Sequence, residues 1–386
     1  MTAMIAPGAT LGVLGGGQLG RMFVHAAQRM GYVTAVLDPD AHSPAGRVAH
    51  RHIQTDYLDP QGLEQLLQCC AAVTTEFENV PAAALRTLGA GCVIAPLPES
   101  VAVCQDRALE KAHFLRSGVP CAPHAQVESA QQLAAVGAEL LPGILKTARL
   151  GYDGKGQQRV DTPEQLAAAW AQMGRVRCVL EMLLPIACEC SVIVARNAAG
   201  AMAHFPVQQN LHRGGVLAVT QVPAPDLTPP LQRQAVEAAL HIAASLNHIG
   251  VLCVEFFVLQ DCSLVANEMA PRPHNSGHYT IDACDESQFD LQVCTLTSAP
   301  LRQPRLHSPA VMLNLLGELW SAQGDMPRAP AWEAVLALPG AHLHLYGKSG
   351  PRPGRKMGHL TVTSARADLA HATALQAAAL LGIEPW

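Results

Sequence analysis

The sequence predicts an α/β unit at the N-terminus followed by a larger α+β body, and three observations carry that reading. Short apolar runs at Thr10–Leu14, Val33–Leu37, Ala71–Val80 and Gly91–Pro96 alternate with helical patterns up to about residue 100, as parallel βαβ units do. Further on, Val254-Glu255-Phe256-Phe257 and Leu264-Val265-Ala266-Asn267-Glu268-Met269-Ala270 flank the polar link Gln260-Asp261-Cys262-Ser263, which reads as an antiparallel hairpin. Near the C-terminus, Pro330 and Pro339 precede a compact stretch of two strand-like runs and an Ala-rich helix.

Composition narrows the class. A chain of 386 residues with 49% hydrophobic residues is long enough for two or three domains with sizeable cores, which excludes a disordered protein. A net charge of -5 gives no general attraction to nucleic acid or an anionic membrane. The N-terminal stretch lacks a basic region and an apolar signal core, and a cytoplasmic location is expected. The 12 cysteines sit mostly in apolar runs without a Cys-x-x-Cys pair, so reduced thiols are expected rather than a disulfide frame or a zinc site.

The first unit opens with a strand, the turn Gly15-Gly16-Gly17-Gln18-Leu19-Gly20 and a helix through Gln28. Gly15, Gly17 and Gly20 satisfy G-x-G-x-x-G, and Asp38 closes the next strand. Three readings stay open for this turn: a dinucleotide site, a site for another phosphate- or ribose-bearing ligand, or tight packing of helix on sheet. Glu76 and Glu78 follow a later strand at its C-terminal end, where open α/β sheets bind ligands, and either carboxylate suits a ribose hydroxyl or plain solvation.

A helix-like segment from Gln105 to Gly118 carries Arg107 and Lys111, and Pro120 and Pro123 end it. Lys146 lies in the apolar run Pro142–Thr147 and needs an anionic partner if it points inward. The glycine-rich stretch Gly151-Tyr152-Asp153-Gly154-Lys155-Gly156 suits a cationic loop over a polyphosphate, although it is not a Walker motif; a plain turn is the alternative. A helix over Pro163–Met173 leads to strands at Val179–Leu184 and Glu189–Arg196. Phe205–Gly215, containing His212, reads as a polar return loop, and Leu231–Asn247 as a long helix.

The hairpin then places one carboxylate, Glu255 or Glu268, in each apolar run. A buried unpaired carboxylate is costly, so the pair needs a cation, donors or water, and Mg²⁺ between phosphates satisfies it. Arg272, His274, Asn275 and His278 follow between prolines and a glycine, which suits a rigid site loop.

Taken together, Gly15–Met22, Glu76–Asn79, Gln105–Arg107, Gly151–Gly156, Asn267–His278 and Gly354–His359 resemble the bacterial 5-(carboxyamino)imidazole ribonucleotide synthases, enzymes of the ATP-grasp superfamily. The resemblance spans nearly the whole chain. It implies a Rossmann-like pre-ATP-grasp domain over 1–100, an ATP-grasp domain over 101–300 with a lid at about 115–180, and a small C-terminal domain over 301–386. The implied reaction joins ATP, bicarbonate and 5-aminoimidazole ribonucleotide in a homodimer, with the product passed to a carboxyaminoimidazole ribonucleotide mutase. By the same resemblance, Arg107, Lys111 and Lys146 face ATP, the last two at its phosphates. Glu181 with Leu183 and Leu184 holds adenine, Glu189 holds ribose, and Glu255 and Glu268 carry Mg²⁺, with Mn²⁺ as a substitute.

In that chemistry bicarbonate attacks the γ-phosphorus of ATP to give carboxyphosphate. Arg272 is the candidate for holding the anion, since its planar fork matches a carboxylate. His274 and His212 are candidates for positioning it or handling the amine proton, and Asp153 and Lys155 for sheltering it from water. Lys348, Arg355 and Lys356, in a Gly/Pro-rich basic segment, are expected at the ribonucleotide phosphate. Gly17, Gln18, Leu19, Glu76, Tyr152 and Asn275 are expected around the rest of that substrate. Three competing functions are a formate-using glycinamide ribonucleotide transformylase, an NAD-dependent oxidoreductase and a nucleotide sensor without turnover.

Overall fold

A computed structural model describes residues 3–151, 156–320 and 329–386. The N-terminal unit holds β1 (Thr10–Leu14), α1 (Gln18–Arg29), β2 (Val33–Leu37), β3 (Arg51–Ile53), α2 (Pro60–Cys69), β4 (Ala72–Thr75), α3 (Ala82–Gly89), β5 (Val93–Ile94) and α4 (Pro98–Cys104). The strands form a parallel sheet in the order β3-β2-β1-β4-β5. Leu11, Val13, Val36 and Ala72 pack beneath Phe23, Val24 and Ala27 of α1, so the apolar strands are covered as parallel sheets require.

Helix α5 (Arg107–Arg116) follows, capped by Asp106, whose carboxylate accepts the N–H groups of Ala108 and Leu109. A small antiparallel sheet comes next, built from β6 (His124–Val127), α6 (Ala130–Ala134), β7 (Gly143–Thr147), β8 (Gln157–Val160), α7 (Pro163–Gln172) and β9 (Cys178–Met182). Its strand order is β6-β9-β7-β8, and its core is Val127, Leu145, Val160, Trp170 and Leu180.

The largest sheet contains β10 (Ile186–Arg196), β11 (Met202–His204), β12 (Gln208–Arg213), β13 (Val216–Val222), β14 (Gly250–Leu259) and β15 (Leu264–Ala270). Helix α8 (Pro229–Ser245) packs on it through Ala235, Ala239 and Ile242. After α9 (Thr280–Ala283) and α10 (Gln288–Thr297), the chain returns to the same sheet with β16 (Ala310–Leu316), α11 (Trp332–Leu336), β17 (Ala341–Leu345), β18 (Lys356–Thr363) and α12 (Ala367–Leu381). Among the described residues the order is β15-β14-β10-β12-β13-β16-β18-β17, with β11 beside β10. The C-terminal strands therefore continue the central sheet through β13 and β16, rather than forming a sheet of their own.

One expected loop is a strand. Residues 208–213 pair with both β10 and β13. Alternate polar side chains face the interior, where Gln208 and Asn210 are buried, so polarity that ordinarily marks solvent here marks a buried polar network. All 12 cysteines are free. No helix among the described residues is long and apolar enough to cross a membrane.

Candidate active site

The glycine turn after β1 is closed by the protein itself. Glu76 accepts the N–H groups of Gly17 at 2.6 Å and Gly20 at 2.8 Å, so the amides at the start of α1 already carry a carboxylate. A Cβ on Gly17 would fall on the Glu76 carboxylate, and one on Gly20 would strike the Gly15 carbonyl; this close approach is why glycine is required. Burial raises the Glu76 carboxyl, partly offset by those two amides. The Gly17 and Gly20 amides are therefore committed to Glu76 and not presented to a dinucleotide pyrophosphate.

Two cavities open between the N-terminal unit, the small sheet and the central sheet. The narrower, of about 300 Å³, is lined by Lys146, Glu189, His212, Glu255, Phe257 and Asn267 among others. Behind its wall, β7 and β9 run antiparallel, and Lys146 on β7 donates to the buried Glu181 on β9 at 3.0 Å. Lys111 of α5 reaches the same oxygen at 3.2 Å. Burial alone would raise Glu181, but the two ammonium groups hold its carboxyl down at about 2. Its second oxygen, Oε1, has no hydrogen-bond partner among the described residues. Lys111, expected at a phosphate, is 1% exposed, and in the structure its ammonium pairs with Glu181 and donates to the Asn267 carbonyl. Leu183 donates its N–H to the Pro142 carbonyl; Leu184 follows in the link to β10.

His212 Nδ1 lies 2.6 Å from Glu189 Oε2, because β10 and β12 set these residues on adjacent strands. Burial opposes protonation of His212, but Glu189 and Glu255 outweigh it and raise its pKa. Glu255 and Glu268 stand where the β14–β15 register shifts between Val254 and Phe256, and both face this cavity. Burial, then repulsion from Glu268, raises the Glu255 carboxyl. Two mutually repelling carboxylates, beside an Asn267 Oδ1 that lacks a partner among the described residues, form an oxygen-rich donor set that fits a hard divalent cation.

The wider cleft, of about 680 Å³, is lined by Gln18, Leu19 and Glu76 of the first unit, Arg272 after β15, and Lys348 and Arg355 of the C-terminal segment. Arg272 Nε donates to Glu78 at 2.5 Å, and its Nη1 donates to the Pro273 carbonyl at 3.0 Å. Burial would raise Glu78, yet the Arg272 guanidinium brings it below its ordinary value. Lys348 donates to the Lys356 carbonyl and sits over the Tyr346 ring, and Arg355 donates to the Ser349 and Gly350 carbonyls.

His274 is fixed from behind. Its Nδ1 accepts the Ser276 N–H at 3.3 Å and lies 2.8 Å from the Ser276 hydroxyl, which places the ring proton on Nε2, 3.4 Å from Glu255. Behind Ser276 stand Ser191 at 3.0 Å, Asn210 and Thr220, all buried. Burial, then the Arg272 and Lys356 charges, keeps His274 neutral. Asn275 is buried with neither side-chain amide atom partnered among the described residues, and it lines both cavities.

Five residues, Arg107, Glu268, His274, Asn275 and Lys356, belong to the walls of both spaces. Tyr152, Asp153 and Lys155 lie outside the described residues. The part of Glu78 in holding Arg272, and the network behind His274, were not foreseen. Adjacent acids on one strand end hinted at the first, and the alternating Gln208, Asn210 and His212 at the second.

An oxygen-rich pair on adjoining strands, a lysine-held carboxylate on a facing small sheet and a glycine turn in a preceding parallel sheet define an ATP-grasp enzyme. Family descriptions agree along the chain: a ribonucleotide synthetase preATP-grasp domain over 8–105, an ATP-grasp domain over 112–289 and a phosphoribosylaminoimidazole carboxylase C-terminal domain over 310–373. The N5-carboxyaminoimidazole ribonucleotide synthase of Brucella melitensis is 43% identical over 362 residues, 92% of this chain and 97% of that protein. The Bacillus subtilis synthase is 38% identical over 359 residues, 93% of this chain and 92% of its own. A solved ADP complex of such a synthetase superposes with a TM-score of 0.91 at 38% identity, covering 98% of each chain. The Aspergillus clavatus synthase solved with ADP and 5-aminoimidazole ribonucleotide gives 0.88 at 30% identity, over 97% of this chain and 99% of that one. The chain belongs to the N5-carboxyaminoimidazole ribonucleotide synthase family.

Proposed function

We propose that this chain uses ATP to join bicarbonate to the exocyclic amine of 5-aminoimidazole ribonucleotide, releasing ADP and phosphate. The observation that carries the proposal is the common wall of the two cavities, which sets a nucleotide space against a second, basic-lined space through Arg107, Glu268, His274, Asn275 and Lys356. ATP occupies the narrower one, with its base toward the buried Oε1 of Glu181, its ribose toward Glu189 and its phosphates toward Lys146 and Arg107. A divalent cation held by Glu255 and Glu268, Mg²⁺ or in its place Mn²⁺, supplies positive charge against the phosphoryl oxygens when bound.

Arg272, kept in place by Glu78, orients bicarbonate for attack on the γ-phosphorus. The bond to ADP breaks and carboxyphosphate forms. The amine of the ribonucleotide then attacks the carboxyl carbon, phosphate leaves, and the amine proton passes to a neighbouring base. Neutral His274 donates from Nε2 and orients the anion instead of adding charge to it. Lys348, Arg355 and Lys356 hold the substrate phosphate, with Gln18 and Leu19 toward its other end. Gly17 acts there through its contact with Glu76. Tyr152, Asp153 and Lys155 enter this proposal through their place in the glycine-rich motif alone.

A homodimer, a cytoplasmic location and a mutase that consumes the product belong to the same reading, with neither nucleic acid nor membrane as a partner. The test is steady-state phosphate release by the purified protein. Release that requires both bicarbonate and the ribonucleotide is expected. Release supported by formate, hydride transfer to a nicotinamide cofactor, or ATP binding without turnover would each replace the proposal with a different function. Within it, Arg355→Ala is expected to raise the ribonucleotide requirement about ten- to hundredfold while ATP binding stays close to that of the parent. Titration of each substrate separates these effects, and an equal loss for ATP would remove Arg355 from the phosphate site.

A further inference from the structure

The carboxylate of Glu268 sits on the weakest part of its strand. β15 is the edge of the central sheet among the described residues, with β14 as its strand neighbour and a single bridge from Ala266 to Cys121 on its other side. Between the pairs Val254↔Met269 and Phe256↔Ala266 the register shifts, so Asn267 and Glu268 have no regular cross-strand partners. An edge interrupted by a bulge leaves amide and carbonyl groups unpaired, and it fixes side-chain directions poorly. The segment from α5 to Pro120 occupies the place where a further strand would lie. Glu110 accepts the Met269 N–H at 2.7 Å, and Lys111 donates to the Asn267 carbonyl at 3.1 Å. The Pro120 carbonyl accepts the Ala266 N–H at 2.8 Å. Arg107, one turn earlier on α5, donates to Glu268 itself at 3.2 Å. Glu110 and Lys111 are 2% and 1% exposed, and burial, then repulsion from Glu268, raises the Glu110 carboxyl to about 8, so two ionisable side chains have been withdrawn from water to grip the backbone on either side of one residue.

We infer that Glu110 and Lys111 are positioning residues that set the Glu268 carboxylate before the cation arrives; this rests on the proposed assignment of Glu268 to the cation. Lys111 adds a second consequence, because the same ammonium pairs with Glu181. One buried charge thereby ties the base end of the nucleotide space to its cation end. Disturbing Lys111 is felt at both ends, whereas disturbing Glu110 is felt at the cation alone.

The test is equilibrium binding without turnover. Mn²⁺ is titrated into the full chain with ADP present, and the free ion is followed by its paramagnetic resonance signal. Circular dichroism verifies folding of each variant. Glu110→Ala is expected to weaken Mn²⁺ binding about tenfold while ADP binding in the absence of the ion is unchanged. Glu110→Gln keeps a carbonyl oxygen for the Met269 N–H and is expected to recover most of that loss. Lys111→Met is expected to weaken both Mn²⁺ and ion-free ADP binding, and it carries the test alone if the alanine variant does not fold. A folded Glu110→Ala or Lys111→Met protein with parental Mn²⁺ affinity overturns the inference. Glu268→Gln separates the two levels: if it loses Mn²⁺ while those variants do not, positioning alone fails. If Glu268→Gln also binds like the parent, the cation assignment fails and the inference with it.

Discussion

In the proposed reaction Arg272 acts through shape as much as charge. Its Nε is committed to Glu78 and its Nη1 to the Pro273 carbonyl, so the rest of the guanidinium edge is presented in one orientation. An ammonium has no comparable plane, and Arg272→Lys keeps the charge while losing the fork. The expected outcome is a fall of about ten- to hundredfold in kcat/KM for bicarbonate with little change in ATP affinity. Steady-state kinetics at varied bicarbonate measures it, and a near-parental value would show that charge alone suffices. The dependence on Glu78 had no mark in the sequence beyond two acids at one strand end, because partners 194 residues apart are joined only by the fold. Arg272 itself was legible, since a basic residue between two prolines in a polar, ionisable run has few structural uses. Lys111 shows the opposite limit. An inward lysine needs an anion, but nothing in the local pattern says whether that anion is a phosphate or the protein's own Glu181.

Among the elements, those read most directly were the ones whose polarity matched their burial. β1, β2 and the β14–β15 hairpin are apolar runs broken by turn residues, and they fold as such. β12 was misread because its inward residues are Gln208 and Asn210, which complete a buried network, so the usual link between polarity and solvent fails there. The turn before α1 was read as a ligand cradle or a packing device, and the structure fills it with Glu76. Gly17→Ala tests how tightly it is filled. The added methyl has to displace the Glu76 carboxylate, which costs about 1–3 kcal/mol of stability by overpacking and loss of the amide bonds. Denaturant unfolding measures it, with Gly118→Ala as a contrast at a glycine whose surroundings are open, although its φ of +69° carries strain of its own. A Gly17→Ala protein as stable as the parent would mean that the carboxylate leaves this turn easily.

Across the whole molecule, the loop after β15 meets the C-terminal hairpin through imidazoles. The His278 and His359 rings are 4.7 Å apart, His344 stacks on His359 at 4.5 Å, and Tyr346 lies 2.9 Å from His359 Nδ1. Burial and then neighbouring positive groups drive the pKa values of His278 and His359 well below the ordinary one. Both remain neutral in the fold while their unfolded counterparts take up protons near pH 6.5. Below that pH the unfolded chain binds more protons, so each of these imidazoles lowers stability by about 1.4 kcal/mol per pH unit until its folded pKa is reached. Glu76 and Glu255, raised by burial, act in the opposite sense, so the informative quantity is a difference between proteins. His359→Gln is expected to lose less stability than the parent between pH 7.5 and pH 5.5, about 1–1.4 kcal/mol less, as urea unfolding at the two pH values measures. Equal losses would show that His359 takes up its proton without unfolding. The order of the central sheet has a geometric consequence of another kind. β14, which bears Glu255, and β18, which begins at Lys356, are five strand intervals apart, or about 24 Å if the sheet were flat. Glu255 and Lys356 nevertheless border one cavity of about 300 Å³, so the sheet has to coil back on itself. Curvature thus acts as a ruler: a substitution in β12, β13 or β16 that relaxed the coil would draw Glu255 and Lys356, both on the walls of that cavity, apart without replacing either.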